Sequence, residues 1–386
     1  MGSDKLTSKM KVSWVQICLL YISAKISVAA VALPALTAAP YPNRDLWLIP
    51  FLAAPAILLV GNIAVKLGEY FPRKTIVEYS KTLTGPFIGT LIAILYSWWY
   101  IYMAALGLRI SSDFFLTGFL PDTPISVLIG AVMLTSVYAA RRGYQVVARV
   151  NQVLFPVIVS LILILFFLAL PQVRLTNLTP VMAGGLPHLV LNSITPIAFF
   201  SDIINIVMIA PFITNTTQTP RIVKWGVSAS TLFLLIMLFS VITFLGIDVA
   251  RGLIYPGLVV ARQIDIADFI QRVEVLLVLI WLAGIFVSIT LGLIWASLAL
   301  AQGFNLISYE PMVLPLALVV TVTTFLLGDN VLEYSALFHP GFIAPYYLTY
   351  SLFIPLILLI LAHIKYGRPS RPDTPINSEI DANADT

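Results

Sequence analysis

The feature that most constrains this chain is a series of long apolar stretches separated by short clusters of charged residues. Of its 386 residues, 59% are hydrophobic and only 10% are charged, against about 25% charged in an ordinary soluble domain. A soluble fold of this size lacks the polar residues needed to coat so much apolar surface. A helix of about 20 apolar residues crosses a bilayer, whereas the strands of a membrane barrel alternate over about 10. The sequence therefore predicts an all-α integral membrane protein rather than a soluble enzyme.

Ten membrane spans are predicted from the positions of these stretches. They lie at 14–37, 46–65, 85–110, 124–140, 151–171, 188–213, 225–247, 271–301, 311–328 and 340–364. The fourth and ninth are short, and the count of ten depends on both. Residues 1–13 form a leader, 14–364 a single membrane domain and 365–386 a Pro-rich polar tail that is predicted to be disordered. Segment 248–270 mixes charges with apolar residues at helical spacing, which predicts a short interfacial helix.

The placement of Lys and Arg in the connecting loops supports this topology. Cytoplasmic loops carry an excess of basic residues, and with the N-terminus inside, most of the 22 Lys and Arg residues fall on the inner side. The first apolar stretch is longer than the core of a signal peptide and has no small-residue cleavage pattern, so it is predicted to be a retained span. Both termini are therefore predicted to be cytoplasmic.

Two ionisable residues lie deep inside predicted spans. A charge at the centre of a span costs about 2.5–3.5 kcal/mol on insertion scales, so such residues are candidates for function. Lys25 lies in the middle of the first span beside Ser27, and Pro34 weakens the helix beyond it. Asp202 lies in the middle of the sixth span, after Pro196. The two opposite charges thus lie at matching depth in the helices that open the two five-helix halves of the chain.

This pair of charges permits two interpretations. In the functional one, two interrupted helices form a site in the middle of the membrane, where half-helix ends supply dipoles and Lys25 and Asp202 supply a switchable charge pair. In the structural one, the two residues form an ion pair that stabilises the bundle, or one of them lies at the membrane interface. The division of ten spans into five and five permits an inverted repeat without demonstrating one.

Other residues of the spans are candidates to line the same site. Tyr100 falls near the centre of the third span rather than at the interface, where aromatic belts lie. Phe199 precedes the aspartate of the sixth span and is a candidate gate. Ser288 lies on one helix face with Gly284 and Gly292. Small residues at intervals of four favour close helix packing, and the same face places the Ser288 hydroxyl where it can line an ion site.

Several classes of function lack their sequence signatures. The chain has no phosphate-binding P-loop, nucleophile elbow or zinc-protease motif. Its three histidines, His188, His339 and His363, are scattered, and Cys18 is the single cysteine. The sequence therefore predicts no enzyme activity, no ATP-driven transport, no metal site and no cofactor.

Five segments of the chain match one family in order and spacing. They are FPRKTIVEYSKTLTG before the third span, FLPDTP after it, YAARRGYQVVARVNQVLFP between the fourth and fifth, LTNLTPVMAGG before the sixth and RQIDIADFIQRVEVLLVLIWLAGIF entering the eighth. Together they resemble the B subunit of bacterial spore germinant receptors, the spore-permease branch of the amino acid–polyamine–organocation superfamily. The resemblance extends from about Ser13 to Lys365.

The resemblance implies two inverted five-helix repeats whose first and sixth helices are broken at a central ligand site. It also implies residence in the spore inner membrane and assembly with an A subunit and a lipoprotein C subunit. Asp202 matches a position where the family carries an acidic residue. Many members carry a lysine in the eighth helix at the position of Ser288, whereas the intramembrane lysine here is Lys25. We therefore expect the Lys25 ammonium to replace a bound sodium ion.

Three functions follow from these observations. In the first, the chain is the sensing subunit of a germinant receptor, and an amino acid docks between the first and sixth helices with its amine near backbone carbonyls or Asp202. In the second, the chain is a proton-coupled amino acid transporter in which Asp202 and Lys25 exchange protons. In the third, it is a scaffold or ion-conducting subunit that binds no small ligand. None of them involves nucleic acid, and the sequence does not identify the germinant.

Overall fold

The computed structural model is helical and accounts for each of the ten predicted spans. It describes residues 11–31, 33–38, 41, 43–72, 74–182, 184–264, 272–328, 333–334, 337 and 339–367. Eight helices within this part of the chain are long and apolar enough to cross a membrane, and two shorter apolar helices lie at the predicted first and ninth spans. Most of the predicted leader and disordered tail falls outside the described residues.

The spans keep their predicted order, with boundaries that move by up to several residues. The first contains helices Trp14–Val31 and Leu33–Ala38; the others apart from the sixth are Ile49–Tyr70, Pro86–Gly118, Ile125–Arg142, Tyr144–Ala169, Thr219–Leu245, Glu274–Gly303, Glu310–Leu326 and Pro340–Tyr366. The fifth begins earlier than predicted because Gly143 alone, with φ of 99°, makes the turn from the fourth.

The sixth span is interrupted, as predicted. It begins as the α-helix Gly185–Phe200, tightens into a 3-10 turn over Ser201–Asn205 and ends in the short helix Ile206–Ile209 and a second 3-10 turn, Ala210–Phe212. Proline lacks the N–H that continues an α-helical ladder, and Pro196 lies in the turns before the break. In an 18-residue apolar stretch of this span, 83% of the residues are buried, the largest share among the eight long spans. The interruption therefore lies inside the protein and not against lipid.

The eighth span packs closely against the first and third. A side chain on Gly284 would place its Cβ 2.4 Å from Ser27 Cβ, and one on Gly292 would lie 3.1 Å from Ala104 Cβ. Both distances are too short for ordinary contact, so the small residues allow these helices to approach each other. The packing interpretation of this face is confirmed.

Two basic side chains near the ends of spans, Arg109 and Lys81, are bound within the protein. Arg109 and Asp113 form a local salt bridge, with 2.9 Å between Nε and Oδ2, and the third span continues past them. Lys81 donates hydrogen bonds to the carbonyls of Gln302 and Gly303, both at 2.7 Å, and so caps the end of the eighth span. Partial burial lowers the pKa of Lys81.

The segment between the seventh and eighth spans contains a short helix, Pro256–Gln263, within the range predicted for an interfacial helix. Residues 265–270 of that predicted segment lie outside the described part of the chain. Arg272 follows them with an 80% exposed side chain, and its Nε lies 3.9 Å from Glu274 Oε1. The Glu274 side chain is only 11% exposed, so the pair lies at the protein surface with its carboxylate side enclosed.

Candidate functional site

A cavity of about 120 Å³ lies inside the bundle between the first, third, sixth and eighth spans. An engineered apolar cavity of about 150 Å³ binds benzene, so this volume suits a small organic molecule. All of the predicted site residues except Ser27 line it, namely Lys25, Tyr100, Phe199, Asp202 and Ser288. The fold thus gathers residues from four spans that are far apart in the sequence.

Lys25 and Asp202 form a direct ion pair at this cavity. The ammonium of Lys25 donates to Asp202 Oδ2 at 2.5 Å and to the carbonyl oxygen of Phe199 at 2.8 Å. The Lys25 side chain is 8% exposed and that of Asp202 is 24% exposed. The cation is therefore almost fully enclosed, and the side chain of its partner is about three quarters enclosed.

The break in the sixth span explains why a cation lies here. The last carbonyls of an α-helix have no partner within the helix, and they carry a partial negative charge. Lys25 binds the Phe199 carbonyl, and the Tyr21 hydroxyl donates to the Phe200 carbonyl at 2.8 Å. Tyr21 lies one turn before Lys25 on the same face of the first span. The first helix therefore supplies the groups that satisfy the interrupted backbone of the sixth.

Five polar atoms of cavity-lining residues are buried and have no hydrogen-bond partner within the described part of the chain. They are the donors Trp99 Nε1, Tyr100 Oη and Trp295 Nε1 and the acceptors Asp202 Oδ1 and Asn205 Oδ1. A buried polar group that is left unmatched costs about 1–3 kcal/mol. A ligand that presents both a hydrogen-bond donor and an acceptor would remove part of that cost.

The rest of the cavity wall is apolar and aromatic. Met103, Ile206 and Leu291 contribute aliphatic surface. The Tyr100 ring lies 5.5 Å from the Trp295 ring and 5.2 Å from the Trp99 ring, measured between centroids. Such a wall favours an apolar or aromatic part of a ligand next to the polar atoms.

Ser27 is the one predicted site residue that the structure does not bring to the cavity. Its hydroxyl donates to the Ala24 carbonyl at 3.0 Å, and its Cβ faces Gly284 in the contact between the first and eighth spans. Ser288 does line the cavity, with its hydroxyl donating to the Gly284 carbonyl at 3.0 Å.

Sequence reasoning missed much of the cavity wall, including three polar residues that lie one or two helical turns from a predicted one. Tyr21 lies four residues before Lys25, Asn205 three after Asp202, and Trp295 seven after Ser288. Each interval returns to the same face of a helix. Extending each candidate by one or two helical turns would have found all three.

The chain is similar to proteins of spore germination. A family model described as "Spore germination protein" matches residues 11–331. Spore germination protein YndE of Bacillus subtilis (strain 168) is 27% identical over 300 residues, which cover 76% of this chain and 82% of that protein. Spore germination protein KB of the same strain is 26% identical over 336 residues, with coverages of 84% and 88%.

Solved structures with the same architecture are transporters. The crystal structure of MhsT in complex with L-phenylalanine gives a TM-score of 0.61 at 13% identity and covers 91% of this chain and 98% of that one. Mhp1, a nucleobase-cation-symport-1 family transporter, gives 0.63 at 12% identity, with coverages of 94% and 95%. At such identities the likeness shows the fold alone, and it confirms the predicted inverted-repeat transporter fold.

Proposed function

The chain belongs to the spore germination protein family, and we propose that it is the nutrient-sensing subunit of a germinant receptor whose ligand is an amino acid. Family and fold together support a membrane-embedded nutrient receptor or transporter. The observation that carries the finer proposal is the central cavity, which combines an ion pair with buried unmatched donors and acceptors.

A zwitterionic amino acid fits this set of groups. Its ammonium would donate to Asp202 Oδ1 and Asn205 Oδ1, two acceptors of cavity-lining residues that have no partner within the described part of the chain. Its carboxylate would accept from Tyr100 and the nearby indole N–H groups, and its side chain would lie on the apolar wall. Because Lys25 holds only Oδ2 of Asp202, the pair and the ligand can share one carboxylate.

The setting proposed for this site is the spore inner membrane, with both termini cytoplasmic and with A and C receptor subunits as partners. Relatives named as spore germination proteins support the sensing role over the others. Ligand binding would shift the equilibrium between two arrangements of the bundle, and the partner subunits would respond to that shift.

Proton-coupled amino acid transport is the second candidate function. The observation that favours it is the enclosed Lys25–Asp202 pair beside a broken helix, since a buried charge pair can exchange a proton when its surroundings change. Both candidates use the same cavity, and they differ in whether the ligand crosses the membrane.

The test is equilibrium binding and uptake of labelled amino acids by proteoliposomes that contain the purified chain, with and without an imposed pH gradient. We expect saturable binding without uptake. Trp295→Phe should weaken binding, whereas Trp225→Phe, at a 56% exposed position, should leave it unchanged. Gradient-driven uptake that Asp202→Asn abolishes would identify a transporter instead. A chain that binds no amino acid would favour the scaffold role.

A further inference from the structure

A second large hollow lies on the outer surface of the bundle, away from the central cavity. It is a groove of about 900 Å³ between the fourth and fifth spans, with the eighth span as its floor. Its walls are aliphatic and aromatic, and they include Leu134, Val150, Val157, Leu161 and Phe286. Its threonine, Thr135, already donates to the Ala131 carbonyl of its own helix at 3.1 Å. The groove therefore suits a purely apolar occupant along its length.

The dimensions of the groove suit a lipid acyl chain. Along the fifth span it extends from Val146 to Leu161, which is about 22 Å at 1.5 Å per residue. One leaflet of a bilayer contributes about half of a 30 Å hydrocarbon core, so the groove can hold a single chain at full length. In an 18-residue apolar stretch of the fifth span, only 17% of the residues are buried within the protein, so this side faces lipid.

One end of the groove is strongly basic. The guanidinium carbon of Arg142 lies 5.0 Å from the centre of the Tyr138 ring, and Tyr138 is a groove-lining residue. Arg141 and Arg149 are exposed at the same end. A single residue, Gly143, separates the fourth helix from the fifth, so the three arginines stay close together.

The charge at this end is not balanced by the acidic residue at the start of the neighbouring ninth span. Glu310 begins the ninth span near this end, where the Tyr309 hydroxyl donates to the Ala140 carbonyl at 3.3 Å. Three guanidinium groups against one carboxylate leave an excess of positive charge. Guanidinium groups are weakly hydrated and bind phosphate through two parallel hydrogen bonds, so they suit a phospholipid headgroup.

From the apolar groove and its basic end, we infer that this surface is a binding site for an anionic phospholipid. One acyl chain lies in the groove along the fifth span, and the phosphate is bound by Arg142 and Arg149. Basic pockets between membrane helices are known to bind anionic headgroups. The site is separate from the central cavity, since the two share no lining residue.

Native mass spectrometry of the purified chain in detergent tests this inference, with dioleoylphosphatidylglycerol and dioleoylphosphatidylcholine added in equal amounts. We expect preferential retention of one phosphatidylglycerol. The double variant Arg142→Gln/Arg149→Gln should lower that preference by about fivefold for each arginine removed. The control Lys224→Gln removes an exposed basic side chain that lies over Trp225 elsewhere on the bundle, and it should retain the preference.

A groove-filling variant tests the apolar half of the site. Ala283 lies in the floor of the groove, and Ala283→Phe should reduce retention of both lipids without changing any charge. Equal retention of the two lipids by the parent chain, or an unchanged preference in the double arginine variant, would overturn the inference. Retention of a second copy of the chain that Ala283→Phe releases would also overturn it, because the groove would then be a protein interface. The arginine variants decide the matter if Ala283→Phe does not fold.

Discussion

Lys25→Met removes the cation that binds both Asp202 and the carbonyl at the break of the sixth span, and it leaves the carboxylate enclosed without its partner. Asp202→Asn does the reverse, since the ammonium then keeps only the carbonyl of Phe199. Removing one member of a buried ion pair costs about 3–5 kcal/mol, because the remaining charge is uncompensated. We expect each single variant to lose that much free energy of unfolding.

The double variant Lys25→Met/Asp202→Asn contains neither charge. Its remaining loss is the hydrogen bond from Lys25 to the Phe199 carbonyl, which is worth about 1–3 kcal/mol at a buried position. It should therefore be more stable than either single variant, although it carries both substitutions. The interaction energy of the pair follows as the difference between the double effect and the sum of the single effects.

The assay is denaturant unfolding of the purified variants in detergent micelles, with free energies from linear extrapolation. A control cycle combines Asp202→Asn with Lys224→Met, an exposed lysine outside the cavity lining. Its two effects should add within about 0.5 kcal/mol, as expected for independent sites. If the effects of Lys25→Met and Asp202→Asn also add, the two residues do not stabilise each other and the reasoning fails.

Three further predictions follow from the packing and the charges. Gly284→Ala should lower the melting temperature, because its Cβ would meet Ser27 at 2.4 Å; Gly130→Ala, with no heavy atom within 4 Å, should leave the melting temperature unchanged or raise it. Equal melting temperatures for the two variants would contradict the close contact. Amino acid binding should have the same Kd in sodium and in choline buffer, because the Lys25 ammonium already binds the carbonyl and carboxylate oxygens at the break; a clear sodium requirement would disprove this. Lys81→Met should lower the melting temperature more than Lys81→Arg, since only arginine can still donate to the last carbonyls of the eighth span; equal losses would mean that the cap contributes little.

The positions of the spans and of the charge pair could be predicted because both depend on one dimension, depth in the membrane. Long apolar runs fix where a helix crosses, and Lys25 and Asp202 lie at matching depth in their runs. The start of the fifth span was missed for a related reason. Arg141, Arg142 and Arg149 indicated a loop by their charge, but in the structure all three belong to helices joined at Gly143.

The wall of the cavity could be predicted only in part, because it depends on how each helix is rotated about its axis. The third and eighth spans are apolar around their whole circumference, so hydrophobic periodicity does not indicate which face turns inward. Tyr100 was identified and Trp295 was missed for this reason. Ser27 was predicted at the site because it is close to Lys25 in sequence. Two residues along an α-helix correspond to a rotation of about 200°, so Ser27 faces away from the side on which Lys25 lies.

At the proposed ligand site, the geometry of the ion pair would connect ligand binding to the relative position of the first and sixth spans. Asp202 in the sixth span binds Lys25 through its Oδ2 atom. Its other oxygen, Oδ1, is the acceptor proposed for the ligand ammonium. A second cation at this carboxylate would weaken the attraction that holds Lys25 in place, so ligand binding would loosen the contact between the two helices. By linkage, any partner that separates the first span from the sixth must change ligand affinity by the same factor. A sensor needs only this coupling between ligand binding and the contact of the two helices. A transporter must also open the cavity to the opposite side of the membrane.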